Sequence, residues 1–306
     1  LMRSSKTMKT KSKAMQSFPD FGSGSCFEEQ RHEAKGKKKQ NPINDLDLEN
    51  WKSLTDIWTD SLWLIPSRDK SGAHTAEYHG NFVPQIPRQV IQRYTKRGDV
   101  VLDAFLGSGT TLIESQRCGR HGIGIELLSE VAHKATARIA LEPNRHGIQN
   151  HVIIGDSSSP DIKGRIVEAL ERIGRDLVDL VMLHPPYHDI IKFSDSPDDL
   201  SNQATVAAFC EALGRVIENT TEKLRPGRFL IIVIGDKYAD SAWIPLGFYV
   251  MQEALKREFI LKSIVVKDMQ GNRAKQNQEQ LWRYRALLGG FYVFRHEYVF
   301  VLKKKA

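Results

Sequence analysis

From Gly98 onward the chain alternates between short apolar runs and stretches in which apolar positions recur every three or four residues. The runs predict strands over 99–105, 121–127, 151–156, 177–183, 228–235, 260–267 and 296–303, and the periodic stretches predict helices over 110–117, 129–140, 161–173, 204–223 and 246–257. Regular alternation of this kind implies an α/β, doubly wound, mostly parallel seven-stranded sheet, with ligands expected at the carboxyl ends of its strands. Upstream, Trp51, Leu54, Trp58, Leu62 and Ile65 fall three and four apart and predict an amphipathic helix over 46–65. A loop and a second helix, from Arg88 to about Thr95, complete an N-terminal helical segment over 46–98 of a single domain spanning 46–306. Residues 1–45 mix Ser, Gly, Lys and Gln without periodicity and read as a disordered tail.

Charge adds an asymmetry. The formal charge is +7, of which residues 1–45 carry +5, so the tail is basic and the body nearly neutral. Net charge therefore gives only weak support to a polyanionic partner. No run reaches the length of a membrane span, and the lysine-rich start lacks the apolar stretch of a secretory signal, so the expected place is the cytoplasm or its nucleoid, with no membrane contact. Cys26, Cys118 and Cys210 have no metal-ligand spacing and read as free thiols. His184 and His188 stand four apart, but the two prolines between them forbid the helix a zinc pair would need, and no metal is expected.

The first candidate site lies where strand 99–105 runs into DAFLGSGTT (103–111). Gly107 and Gly109 let the backbone approach a ligand closely, and the following helix start offers free N–H groups. The spacing is neither that of a phosphate-cradling P-loop nor that of a dinucleotide fingerprint, since position 112 is Leu. Glu126 ends the second predicted strand and Asp156 the third. A carboxylate at the second tip is where α/β nucleotide binders hold a ribose, whereas either acid taken alone is an ordinary strand end or helix cap.

The stretch from Asp99 to Glu126 resembles motif I and the acidic motif that follows it in S-adenosylmethionine-dependent DNA amino-methyltransferases, which act on adenine N6 or cytosine N4. NFVPQIPRQVIQRYTKRGD (81–99) is similar to the segment before motif I, and HEYVFVLKKK (296–305) to the closing strand. The resemblance implies a class I Rossmann-like methyltransferase fold with S-adenosylmethionine as cofactor. It implies that Phe105, Gly107, Gly109 and Thr110 line the methionine moiety, that Glu126 holds the ribose, that Asp156 contacts the adenine, and that Asp103 and Ser108 also belong to the cofactor site. Phe82 and Pro84 would close over the methionine end.

HPPY (184–187) then stands where the family carries Asp, Asn or Ser followed by Pro-Pro-aromatic. Two prolines end the strand as a stiff elbow. The chemistry asks for one, because an exocyclic amine has its lone pair delocalised into the base and needs acceptors on its N–H groups before it can attack a methyl group. The resemblance gives the Pro185 carbonyl as one acceptor, Pro186 as the rigid support, and Tyr187 as the ring that stacks on a base flipped from the duplex. For the first position three readings stand: His184 is the acceptor, a neighbour such as Asp189 replaces it, or the chain is an inactive or regulatory relative. A neutral imidazole accepts through one nitrogen only, and the unperturbed pKa of about 6.5 predicts loss of activity as pH falls between 8 and 5.

No insertion large enough for a conventional target-recognition domain separates the motifs. Loop 188–203 and loop 267–285 are the candidates, the second for Lys267, Arg273, Lys275, Arg283 and Arg285 as phosphate or base-edge contacts. The expected function is site-specific DNA methylation, adenine N6 ahead of cytosine N4, in a restriction-modification setting, with a homodimer or second subunit as possible partner. The alternatives are an RNA amino-methyltransferase and a non-catalytic subunit that binds cofactor or DNA.

Overall fold

The computed structural model describes residues 43–75, 80–269 and 279–306. Ten strands occur among them: β1 (Leu62–Trp63), β2 (Val100–Asp103), β3 (His121–Glu126), β4 (Asn150–Ile154), β5 (Val178–Leu183), β6 (Leu224–Ile234), β7 (Lys237–Ala239), β8 (Ala242–Ile244), β9 (Phe259–Asp268) and β10 (His296–Lys304). The helices are α1 (Gln85–Tyr94), α2 (Thr110–Cys118), α3 (Ser129–Leu141), α4 (Ile162–Ile173), α5 (Val206–Thr221), α6 (Leu246–Leu255) and α7 (Glu279–Gly289). The main sheet has eight strands in the order β1-β9-β10-β6-β5-β2-β3-β4, and β7 with β8 form a separate hairpin. All neighbours in the main sheet are parallel except β10, which runs against both β6 and β9.

Helices on both faces bury the sheet, and its central strands β2 and β5 are buried at every position. Alternation along each strand sorts the core. Val100, Leu102, Val181 and Leu183 face the layer of α4, α5 and α6, while Val101, Leu180 and Met182 face the layer that holds α1. In α1, Ile86, Val90 and Ile91 form the buried stripe, and Pro87 sits in the first turn, where a missing N–H costs nothing. The Thr205 hydroxyl caps α5 by accepting from the Ala208 N–H.

The N-terminal segment corrects one expectation. In place of a helix over 46–65 there is a single 3-10 turn, Trp51–Ser53, followed by an extended stretch whose Leu62 and Trp63 pair in parallel with Val266 and Lys267 of β9. Tertiary contacts override the spacing: the Gln89 amide accepts from the Trp58 N–H and donates to the Asp56 carbonyl, and Arg93 donates to the Trp58 carbonyl. Thr55, Asp56, Thr59, Asp60 and Ser61 are weak helix formers and put up little resistance. β1 is the eighth strand that the count of seven missed. Asn44 and Asp45, at the end of the expected tail, are tied to the body, Asn44 through the Arg93 carbonyl and Asp45 through an ion pair of 2.7 Å with Arg120. No helix among the described residues is long and apolar enough to cross a membrane.

Candidate active site

The sheet reverses its winding between β2 and β5, and the site residues collect at the carboxyl ends on both sides of that point. β2 ends in Asp103, which is buried. Its Oδ1 accepts from the Phe105 N–H, and its Oδ2 is enclosed without completing a hydrogen bond. Burial pushes this carboxyl up to about 6, the neighbouring Thr111 hydroxyl and Phe105 N–H pull it down, and the charge of Glu126 raises it further. The turn that follows is left-handed at Gly107 (φ 52°) and Gly109 (φ 89°), and a Cβ at Gly109 would stand 3.1 Å from the Ile139 side chain. Only glycine fits that position.

Glu126 closes the other wall. Its Oε2 accepts from the Gly107 N–H at 2.9 Å and its Oε1 from the Leu128 N–H at 3.0 Å, which pins the carboxylate against the turn. Burial raises its pKa, partly offset by those two N–H groups. Ser108 and Thr110 are buried, and the Thr110 hydroxyl donates to Asn81, which draws the chain before α1 onto the turn. Arg68 fixes that chain by donating to the carbonyls of Thr75, Asn81 and Phe82. Phe82 and Pro84 are buried beside it. Phe105 is half-buried against the core. Asp156 lies just past β4, its oxygens engaged by the N–H and hydroxyl of Ser158.

β5 delivers the elbow. The His184 ring lies 4.7 Å from the Phe82 ring and 5.9 Å from the Tyr187 ring, so the segment before α1 and the elbow meet. The Tyr187 hydroxyl donates to Glu297 at 2.6 Å, and a Cβ at Gly235 would stand 2.9 Å from the tyrosine ring. After the elbow, His188 takes a left-handed backbone (φ 53°), a conformation held by the Lys237 ammonium on its Nδ1 at 2.9 Å and the Gln203 carbonyl on its Nε2 at 2.7 Å. Lys237 also pairs with Asp189, whose carboxylate is thereby engaged in anchoring the loop that follows. Burial drives the His184 pKa down to about 4, against the pull of Glu297. The imidazole is therefore neutral, and able to accept, across the range in which the unperturbed value predicts loss; the window of expected loss moves from pH 8–5 to pH near 4.

Among the residues expected to touch nucleic acid, Lys267 is a correction. It is buried and its ammonium lies 2.9 Å from Glu297, its direct partner across β9 and β10. A charged end in that position serves the interior. Arg283 and Arg285 are exposed on α7, which occupies part of what the sequence reads as a loop. Arg273 and Lys275 lie outside the described residues, as does Cys26, while Cys118 and Cys210 are free thiols. Glu297 and Lys237 are the site residues that sequence reasoning missed. Their signal was a charged residue at the end of an otherwise apolar run, in HEYVFVL and in FLIIVIGDK. A cavity of about 320 Å³ lined by Leu46, Trp51, Leu54, Ile57 and Tyr94 shares none of the site residues and offers neither a carboxylate nor a glycine turn.

Residues 7–137, less than half of the chain, match the family model described as DNA methylase. Over those residues the chain is similar to the DNA methylase family. It is 39% identical over 84 residues to the type II methyltransferase M.BglI of Bacillus subtilis, covering 27% of this chain and 22% of that protein. It is 33% identical over 100 residues to the type II methyltransferase M2.DpnII of Streptococcus pneumoniae, covering 31% and 34%. The matched stretches thus span about a third or less of these relatives' own length. The crystal structure of TrmN from Thermus thermophilus aligns with a TM-score of 0.46 at 15% identity, over 73% of this chain and 49% of that one.

The DNA methylase match carries S-adenosylmethionine with it as the cofactor. The residues fit that cation. Asp103 keeps a buried oxygen without a hydrogen bond, the turn at Gly107 and Gly109 is left-handed and bare of side chains, and Glu126 is oriented by two backbone donors.

Proposed function

We propose that the protein is a DNA methyltransferase that moves a methyl group from S-adenosylmethionine to an exocyclic amine, adenine N6 ahead of cytosine N4. The observation that carries this reading is the meeting of the HPPY elbow with Phe82, beside a glycine turn flanked by Asp103 and Glu126. In this reading Phe105, Gly107, Ser108, Gly109 and Thr110 would hold the methionine end of the cofactor, with Phe82 and Pro84 closing over it. Glu126 takes the ribose hydroxyls and Asp156 the adenine, sharing its oxygens with Ser158. Bound there, the cofactor would supply a sulfonium methyl group; the electron pair of the S–C bond would stay on sulfur, and the methylated nitrogen would release one proton to solvent.

The chain's own residues prepare the nucleophile. The Pro185 carbonyl and His184 accept the two N–H groups of the target amine, which draws its lone pair out of conjugation and toward the methyl carbon. Pro185 and Pro186 hold those acceptors without reorganisation, and the Tyr187 ring stacks on the extruded base, returning part of the few kcal/mol that extrusion costs. Loop 188–203, anchored through Lys237 and Gln203, lies next to where that base would stand, and Arg283 and Arg285 supply exposed positive charge for phosphate. The test is transfer of a labelled methyl group from cofactor to DNA and to RNA. Transfer to DNA that disappears in His184→Ala supports the reading, transfer to RNA alone would replace it with an RNA enzyme, and transfer to neither would leave a non-catalytic subunit.

A further inference from the structure

A histidine accepts through only one of its two nitrogens when neutral, so its usefulness at the elbow depends on which nitrogen keeps the hydrogen. The surroundings decide this. β9 ends and β10 begins at the same edge of the sheet where β5 ends, which brings Glu297 and its cross-strand partner Lys267 under the elbow. The Lys267 ammonium lies 2.9 Å from Glu297 Oε1, and the Tyr187 hydroxyl lies 2.6 Å from Glu297 Oε2. A carboxylate only accepts, so the tyrosine hydrogen is committed to Glu297. The tyrosine oxygen stands 3.5 Å from His184 Nε2 and has only lone pairs left to offer it. The one arrangement that satisfies this chain of contacts has the hydrogen on Nε2. The His184 side chain hydrogen-bonds through Nε2, and in this tautomer the lone pair on Nδ1 is left to accept.

We propose that Lys267, Glu297 and Tyr187 act as a relay of positioning residues that fixes His184 as its Nε2–H tautomer and so presents Nδ1 as the acceptor for the target amine. Each member has one role. Lys267 neutralises and orients the carboxylate, Glu297 takes the tyrosine hydrogen, and Tyr187 turns a lone pair toward Nε2. At 3.5 Å the contact is at the long limit for a hydrogen bond. The acceptor role of Nδ1 rests on the amino-methyltransferase reading, whereas the tautomer does not.

Long-range proton–nitrogen spectra of the full chain labelled with nitrogen-15 histidine, with His184 assigned by its loss in His184→Gln, read the tautomer directly. Wild type should show a protonated Nε2 and a bare Nδ1. In Glu297→Gln the amide can donate to the tyrosine oxygen, which frees the tyrosine hydrogen for Nε2 and should invert the tautomer to Nδ1–H. Tyr187→Phe, which keeps the ring and its packing, should lose the preference if Glu297→Gln fails to fold. Methyl transfer gives the second readout: both variants should lower kcat roughly 10- to 100-fold, with KM for DNA changed far less, because an oriented acceptor is lost while stacking survives. A wild-type Nδ1–H tautomer, or a tautomer unchanged in both variants, overturns the relay. An inverted tautomer together with no methyl transfer to DNA by wild type would uphold the relay and overturn the proposed function.

Discussion

The two halves of the site are built by different means. At the tips of β2 and β3, the carboxylates Asp103 and Glu126 are held by backbone N–H groups of Phe105, Gly107 and Leu128, all within a few tens of residues in sequence. At the tips of β5, β9 and β10, the elbow is held by side chains: Tyr187 by Glu297, 110 residues away, and Glu297 by Lys267. The first half is a rigid cradle that the local chain forms almost unaided. The second is a polar network held by side chains far apart in sequence, and therefore vulnerable to the loss of any member.

The sharpest way to break the comparison is through Gly109. Gly109→Val would force a branched side chain into a left-handed turn and onto Ile139, and should abolish measurable cofactor binding by calorimetry while leaving the His184 and Tyr187 contacts intact. Next in size, His184→Ala should lower the single-turnover methylation rate by roughly 10²–10⁴ with cofactor affinity unchanged, since it removes a group of the second half alone. Lys267→Met leaves Glu297 buried without its cation and should cost about 3–5 kcal/mol in chemical denaturation, with Lys267→Met/Glu297→Leu recovering most of it. A Lys267→Met protein of wild-type stability would mean that the network is not what holds the elbow.

The difference between the halves also explains what was legible in the sequence. The seven strands from 99 onward and the glycine turn rest on local pattern, and the structure reproduces them within a few residues. The failures involve partners far apart in sequence. Trp51, Leu54, Trp58, Leu62 and Ile65 carry helical spacing, but Gln89 and Arg93 bind the backbone of that segment in extended form and β9 pairs with it. Lys267 looks like a surface base until β10 places Glu297 opposite it. Periodicity reports which face of an element is apolar, and it is silent on which distant side chain stands opposite a charge.

pH sharpens the comparison further. A neutral His184 is required, and burial holds its pKa near 4, so with cofactor saturating, protonation of His184 should lower the single-turnover rate only as pH drops through about 4, below the range near 6 in which Asp103 takes up its proton. An inflection near 6.5 that vanishes in His184→Gln would show that the ring is solvated and the network open. The smallest effect is expected on the surface. Arg283→Glu with Arg285→Glu should weaken DNA binding several-fold and reduce the salt slope by roughly one for each phosphate left without its arginine. An unchanged affinity at low salt would remove α7 from the binding face.

The central claim, that the elbow at the tip of β5 methylates a base amine, is tested most directly by nucleoside mass spectrometry of DNA from cells expressing the full chain. Wild type should yield N6-methyladenine, absent when Tyr187→Ala is expressed to the same level. DNA with neither N6-methyladenine nor N4-methylcytosine would contradict the claim, and so would a methylated amine that persists in Tyr187→Ala.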